Sequence, residues 1–325
     1  MGLSAGTISV IVACRNAAAT LGEALESVLA QTVPPMEILV IDDRSTDESA
    51  ALARSFGPRI RVLVNPGRGP GAARRLGVSE ASGEYIAFVD ADDTVEPTKH
   101  EQQLAVLQSR PPGTVVHTGS YLYWADDSRA GYRRPGGEKA TGRCLQTIFE
   151  ANPLCSASIM LRRSLILELG NYDSELIGAE DYHLSLRAAT CCDFVYLPEP
   201  LYRIRRHAGS ITRRKSLMAF YHWLAQDKFR RQYPEAFAAL PPDVIRRAMV
   251  DPVLRAVESA YWRRDPDGYR RLLRLAIGLV HGNDVGPAER AGIERLWRRR
   301  WCPMFMLRWQ DRIRSTPAQP RTEVA

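Results

Sequence analysis

The sequence predicts an α/β protein: a mostly parallel sheet with helices on both faces, followed by a mainly helical C-terminal region. Three observations predict it. Short β-branched runs alternate with helix-period segments through the first 90 residues, as chained βαβ units do. Those runs are apolar throughout rather than alternating, as strands buried on both faces are. From Ser216 onward only helical patterning is expected.

ISVIVAC (8–14) and MEILVID (36–42) read as the first two strands. Between them Leu21, Leu25, Val28 and Leu29 mark one face of a helix over 19–31, with Thr20 as N-cap and Glu23 completing a capping box. Ser45-Thr46-Asp47 precedes a second helix over 48–56, and Ser45 or Asp47 is expected to cap it. IRVLV (60–64) is the third strand, 72–81 a helix and 84–89 the fourth strand. After Asp93 the pattern loosens: a helix over 97–109, a strand over 114–124, a mobile Gly- and Arg-rich loop over 131–142, a strand over 156–162, and a short helix over 164–169. A helix over 181–190 and a strand over 194–197 follow, and a polar tail frays after about Ser315. Two domains are expected, 1–215 and 216–325.

Composition narrows the class. In 325 residues, 45% apolar and 25% charged describe an ordinary globular protein. No apolar run approaches the roughly 18 residues of a membrane span, and no secretory leader is expected at the N-terminus. The six cysteines show no CxxC pair or metal-ligand spacing, so they are expected to be small buried hydrophobes in a reducing cytoplasm. The net charge of +7 is unevenly spread: residues 1–200 carry 18 basic against 25 acidic side chains, and residues 201–325 carry 26 against 12. A dinucleotide oxidoreductase is disfavoured because no GxGxxG follows the first strand, where the chain reads ACRNAAAT; the Gly-rich signature of nucleotidyltransferases is missing there too. GRGPG (67–71) lacks the G-K-[ST] ending of a P-loop.

The polar residues cluster at strand ends. Cys14-Arg15-Asn16, Asp42-Asp43 and Asp90-Ala91-Asp92-Asp93 all sit at strand ends, and ligands of such sheets bind beyond the carboxyl ends. GEYIAFVDADDT drives an apolar strand into three carboxylates, which are costly to bury unless paired or bound to metal. Glu180-Asp181 opens a later helix, where acids suit the dipole and can also serve as bases.

ISVIVACRNAAATLGEALESVLAQT, ILVIDDRSTDES, NPGRGPGAARRLGVSEASGEYIAFVDADD, GAEDYHLSLRA and LPEPLYRIRRHAGSIT, in that order over roughly 7–212, resemble family 2 glycosyltransferases of the GT-A (Rossmann-like) fold. The resemblance implies an inverting, metal-dependent transfer from a nucleotide-diphosphate sugar, by expectation a UDP-sugar, to a hydroxyl of a saccharide or lipid-linked acceptor. Residues 1–95 would bind the donor and 96–215 the acceptor. By the same resemblance Asp92 holds Mn²⁺ or Mg²⁺, Asp90 faces the donor's ribose or sugar, Asp93 supports from behind, and Asp43, beside Asp42, accepts from the nucleobase. Ala13 and Arg15 flank the base, with Arg15 where the family often has an aromatic residue; Asn16 and Ala91 complete the donor set. Arg68 reaches the diphosphate or base, or simply lies in a turn. Asp181 is the base, Glu180 positions the acceptor or Asp181, and His207 lies near the metal or diphosphate with Arg205, Arg206 and Arg213 beside it. Tyr121, Tyr123 and Trp124 offer an aromatic face to an acceptor or belong to the core. The alternative is a non-catalytic nucleotide-sugar-binding relative anchored through its basic tail.

That tail, AERAGIERLWRRRWCPMFMLRWQDRIR (288–314), mixes eight arginines with Trp297, Trp301 and Trp309. It suits an anionic membrane surface on the cytoplasmic face, or packing on the catalytic domain; nucleic acid is the least favoured partner.

Overall fold

The first strand, β1 (Ile8–Cys14), is buried along nearly its whole length, as a run of Ile and Val without alternation requires. In the computed structural model, which describes residues 6–124, 132–133, 140–207, 209–281, 291 and 294, α1 (Leu21–Leu29) returns the chain to β2 (Glu37–Asp42). Next come α2 (Ser49–Ser55), β3 (Ile60–Val64), α3 (Gly69–Glu80) and β4 (Tyr85–Asp90). A two-residue β5 (Thr94–Val95) leads to α4 (Lys99–Ser109) and the long β6 (Thr114–Trp124), with β7 (Tyr132–Arg133) against it. After α5 (Leu145–Ala151) come β8 (Ile159–Arg162), α6 (Arg163–Glu168), α7 (Glu180–Cys191) and β9 (Asp193–Arg206). Helices then follow to the end of the continuously described chain: α8 (Lys215–Gln232), α9 (Pro234–Ala238), α10 (Pro242–Ile245), a π turn at Arg246–Val250, α11 (Asp251–Trp262) and α12 (Pro266–His281).

The sheet runs β3-β2-β1-β4-β8-β6-β9-β5. β3, β2, β1 and β4 are parallel; β8 pairs antiparallel with β4 and β6, and β9 runs parallel to β6. Val10, Val12, Ile38, Val40, Ala87 and Val89 meet Leu21, Leu25 and Val28 in one core. Burying each such Val, Ile or Leu contributes roughly 1.5–3 kcal/mol, enough to fix the register.

The fold class is as expected, and several details differ. Thr20 is the N-cap of α1 but closes no capping box: its hydroxyl donates to the Ala91 carbonyl at 2.9 Å, and Glu23 pairs with Arg205. Ser45 does not cap α2, but Asp47 does: its Oδ1 accepts from the N–H of Ser49, the first residue of the helix, at 3.1 Å. Ser45 Oγ accepts from Asn16 N–H at 2.9 Å and Asp47 Oδ2 from Ala18 N–H at 3.0 Å, so both clasp the loop after β1. α3 begins three residues before the expected 72, because Gly69 takes φ +82 and Pro70 enters the first turn. β9 spans 14 residues rather than four; it crosses Pro198 and Pro200 by shifting register near Gly119. Cys14, Cys144 and Cys192 are buried, whereas Cys155 is half-buried and Cys191 is exposed at the end of α7. In the expected loop over 131–142, Tyr132–Arg133 form β7 against β6 and Ala140 is buried; its remaining residues apart from 141–142, nearly all of 288–314 and the tail after Ser315 lie outside the described residues.

The chain divides into two compact units, residues 1–213 with 221–244, and 214–220 with 245–325. The described part of the second unit holds α11 and α12, whose Val253, Val257, Leu272 and Ala276 are buried. Among the described residues no helix is long and apolar enough to cross a membrane.

Candidate active site

Three parallel strands end level with one another. Cys14 lies beside Asp42 and Ala13 beside Asp90 in the register, so the polar residues after β1, β2 and β4 share one edge. Asp43 is buried there. Its Oδ1 accepts from Asn65 Nδ2 at 2.8 Å, its Oδ2 from Gly69 N–H at 2.9 Å, and the Arg15 guanidinium stands 3.7 Å away. Asp42 accepts weakly from Ser45 N–H at 3.3 Å. Asn16, left-handed at φ 49, receives Thr46 N–H on its Oδ1 at 2.8 Å. Ala13 is half-buried, and Arg15 and Arg68 are exposed, Arg68 in extended backbone just ahead of α3.

The acidic cluster after β4 is divided among three environments. Asp90 is half-buried, with Oδ1 accepting from Arg74 at 2.6 Å and Oδ2 from the Tyr202 hydroxyl at 3.2 Å. Asp93 is buried; it accepts from the same Tyr202 hydroxyl and from Arg205 N–H at 2.7 Å. Burial, and then the charges of Asp90 and Asp92, push the Asp93 carboxyl well above the usual range. Ala91 is buried. Asp92 alone turns outward, 39% exposed, with Oδ2 2.9 Å from Nε2 of the equally open His207.

The structure therefore brings Asp92 and His207 together, with Arg205 beside them. Arg205 is already engaged, donating to the Asp92 carbonyl at 3.0 Å and lying 5.4 Å over the Tyr123 ring. Tyr121 is exposed, and the Trp124 side chain is outside the described residues. Among the described residues no group of three or more His, Cys, Asp or Glu could hold a metal ion. Asp92 and His207 form a pair, one group short of such a set.

On the other side of the cleft edge, Ala179 takes a left-handed turn (φ 58, ψ 24) and delivers Glu180 and Asp181 at the start of α7. Glu180 is buried and its Oε1 accepts from Arg74, so it is not free to touch an acceptor directly. Burial raises its carboxyl to about 7, with the Arg74 cation opposing. Asp181 is half-buried and accepts from Tyr182 N–H at 2.7 Å. The Tyr182 hydroxyl donates to the Phe149 carbonyl at 2.6 Å and receives Gln226 Nε2 at 2.9 Å, which locks α7 to α5 and α8. His222 on α8 lies with its ring 5.4 Å from that of Tyr182, and burial lowers its pKa against the pull of Asp181.

Four residues escaped the sequence reading: Arg74, Tyr202, Asn65 and His222. Only Arg74 carried a legible signal. It interrupts the small-residue face Gly71, Ala73, Gly77 of α3, where a long cation has to find a buried partner. The others act through contacts between distant segments.

Chemically, the edge has an acceptor-rich floor for a polar ligand, an outward carboxylate–imidazole pair, and a separate carboxylate at a helix start. The family model described as Glycosyl transferase family 2 matches residues 9–170. The chain is 30% identical over 241 residues to the succinoglycan biosynthesis protein ExoO of Rhizobium meliloti (strain 1021), covering 70% of this chain and 68% of that one. It is 27% identical to an uncharacterized glycosyltransferase of Rickettsia prowazekii (strain Madrid E), covering 63% of this chain and 65% of that one. The chain thus spans about two thirds of these relatives' length. In fold it is similar to S. aureus TarS 1–349, solved in complex with UDP-GlcNAc, with TM-score 0.54 at 18% identity, covering 82% of this chain and 90% of TarS 1–349.

Proposed function

The chain belongs to glycosyltransferase family 2 and has its GT-A fold, and from that premise we propose that it moves a sugar from a UDP-sugar to a hydroxyl of a saccharide or lipid-linked acceptor with inversion. One observation carries the reading: the aspartates at the ends of β2 and β4 share one edge, and a single guanidinium, Arg74, joins Asp90 of that edge to Glu180, the neighbour of Asp181. The TarS complex with UDP-GlcNAc supports a UDP-sugar as the donor class.

In this reading Asp43 and Arg15 receive the base, Asp90 the ribose or sugar hydroxyls, and Asp92 with His207 a divalent cation. One carboxylate and one imidazole fit Mn²⁺ better than Mg²⁺, which favours oxygen ligands alone. When bound, the cation offsets negative charge on the departing diphosphate. Asp181 takes the acceptor's hydroxyl proton as that oxygen bonds to the anomeric carbon. The bond from that carbon to the phosphate oxygen breaks, and its electron pair leaves with the nucleoside diphosphate. A single base opposite the leaving group gives inversion.

The test is a panel of UDP-, GDP- and dTDP-sugars scored by melting temperature with and without Mn²⁺, followed by turnover of the donor that stabilises most. A UDP-sugar should stabilise most, and only with Mn²⁺. Asp181→Asn should cut transfer by about 10²-fold or more with donor stabilisation unchanged. Equal loss of both would place Asp181 in the donor pocket.

A further inference from the structure

Arg74 is 7% exposed and sits among more negative than positive charge. One arm of its guanidinium donates to Glu180, the other to Asp90 at 2.6 Å, and its centre lies 6.0 Å from the Tyr172 ring. Asp90 ends a strand of the donor edge; Glu180 immediately precedes the base. The two carboxylates are 90 positions apart in sequence and reach the same cation. The backbone is equally close: a Cβ built on Gly71, one turn before Arg74, would meet the Leu176 carbonyl at 2.6 Å, the Asp173 carbonyl at 2.7 Å and Glu180 Cβ at 3.2 Å.

We propose that Arg74 is a positioning residue that sets both sides of the transfer site together, holding the Glu180 carboxyl behind Asp181 while it fixes the rotamer of Asp90. The inference rests on the function proposed above. The planar fork suits this task, because two donors in fixed geometry hold two carboxylates at a fixed separation, which an ammonium on a flexible stem does not. Tyr202 completes the clamp on Asp90 from its other oxygen. The ionisable groups around Glu180 are Arg74 on α3, Asp90 on β4, Asp181 on α7 and Tyr172, with His222 on α8 near Asp181. Arg74 is the one cation among them. Without it, burial is unopposed and Glu180 is protonated near neutral pH.

Glutamate carboxyls labelled with ¹³C in the full chain, with Glu180→Gln identifying the resonance, report the Glu180 titration directly. Arg74→Met should move that titration upward by at least one pH unit. An unmoved titration overturns the proposal, whether or not the protein turns over any donor. The second arm uses UDP-GlcNAc, UDP-glucose and UDP-galactose with water as acceptor, following whichever is hydrolysed fastest. Arg74→Met and Arg74→Lys should each lower turnover at least tenfold. Arg74→Met/Glu180→Gln should come within threefold of Glu180→Gln alone, since residues acting through one another are not additive. Independent, multiplied losses would overturn the proposal. Replacing both buried charges leaves only the half-buried Asp90 ionised, and Asp90 keeps solvent and the Tyr202 hydroxyl, so the double variant folds even where Arg74→Met does not. Failure of every UDP-sugar to be hydrolysed, together with a shifted Glu180 titration, would refute the donor assignment and leave the role of Arg74 toward Glu180 standing.

Discussion

Asp92 and His207 stand 115 positions apart in sequence and 2.9 Å apart in space. The acidic cluster was legible because an apolar strand running into three carboxylates is costly unless they are paired or bound, and Asp92 was singled out within it by resemblance. The histidine was legible only through the resemblance of its motif; no spacing rule links it to Asp92. Arg74 shows the limit from the other direction. Its position on a small-residue face was visible, but its two partners come from a strand end and a helix start that only the fold unites. Asp92 supplies a clean test of the cation assignment, because it is 39% exposed and its loss should leave the core intact. Asp92→Asn keeps the shape and removes the charge. Its melting temperature should stay within about 2 °C of the parent, since surface changes of this kind fall within about 0.5 kcal/mol. Mn²⁺ should no longer enhance stabilisation by UDP. Retained, Mn²⁺-dependent stabilisation would remove Asp92 from the metal site.

Elements were read well where one physical rule governed them and poorly where two competed. Three of the four parallel strands, β1, β2 and β4, were identified because continuous burial leaves few alternatives, and the edge strand β3, half open to solvent, because of its β-branched run. The capping box at Thr20 failed because the same hydroxyl could satisfy the Ala91 carbonyl, a partner no local pattern contains. β9 was cut short in the reading because Pro198 and Pro200 look like strand breakers; the parallel partner β6 absorbs them by a register shift. α3 is the element on which the site depends most. Its first turn gives Gly69 N–H to Asp43 at 2.9 Å, and its second gives Arg74. Gly71→Ala should therefore push α3 away from the segment ahead of α7, where backbone carbonyls at 2.6 and 2.7 Å cannot rotate aside. We expect a loss of about 1–3 kcal/mol, the usual cost of overpacking, and a larger proportional loss of turnover than of stability. Gly178→Ala is the control. Its added methyl meets the Tyr221 ring at 2.7 Å, a side chain that can turn away, so the cost should be smaller.

At the scale of the whole molecule, a buried ammonium among the described residues works against stability. Lys99, at the start of α4, is fully buried and its Nζ has no hydrogen-bond partner among the described residues. Burial lowers its pKa from 10.5 to about 7. The unfolded chain therefore holds a proton that the folded one lacks between pH 7 and 10.5. Stability rises with pH across that window by up to roughly 1.4 kcal/mol per unit, and the deficit is complete below it. Lys99→Met, of similar length, should remove this alkaline rise and raise stability at pH 7 by on the order of 2 kcal/mol. Denaturant melts at pH 7 and pH 10 measure both effects, and a fall in stability at pH 7 would show that Lys99 has a partner worth its burial.

β9 has one more consequence, for the timing of synthesis. Tyr202, Arg205 and His207 all come from this strand or just past it, and together they grip Asp90, Asp92 and Asp93. A nascent chain that has emerged only through β4 already carries the full acidic cluster, with none of these partners yet made. The 115 residues from Asp92 to His207 take roughly 6–23 s to translate at 5–20 residues per second. For that interval Asp92 and Asp93 depend on water or on borrowed cations, while Asp90 already has Arg74, and on the function proposed above a chain terminated early never acquires a donor site. Competence to bind the donor is thus a late event on the ribosome.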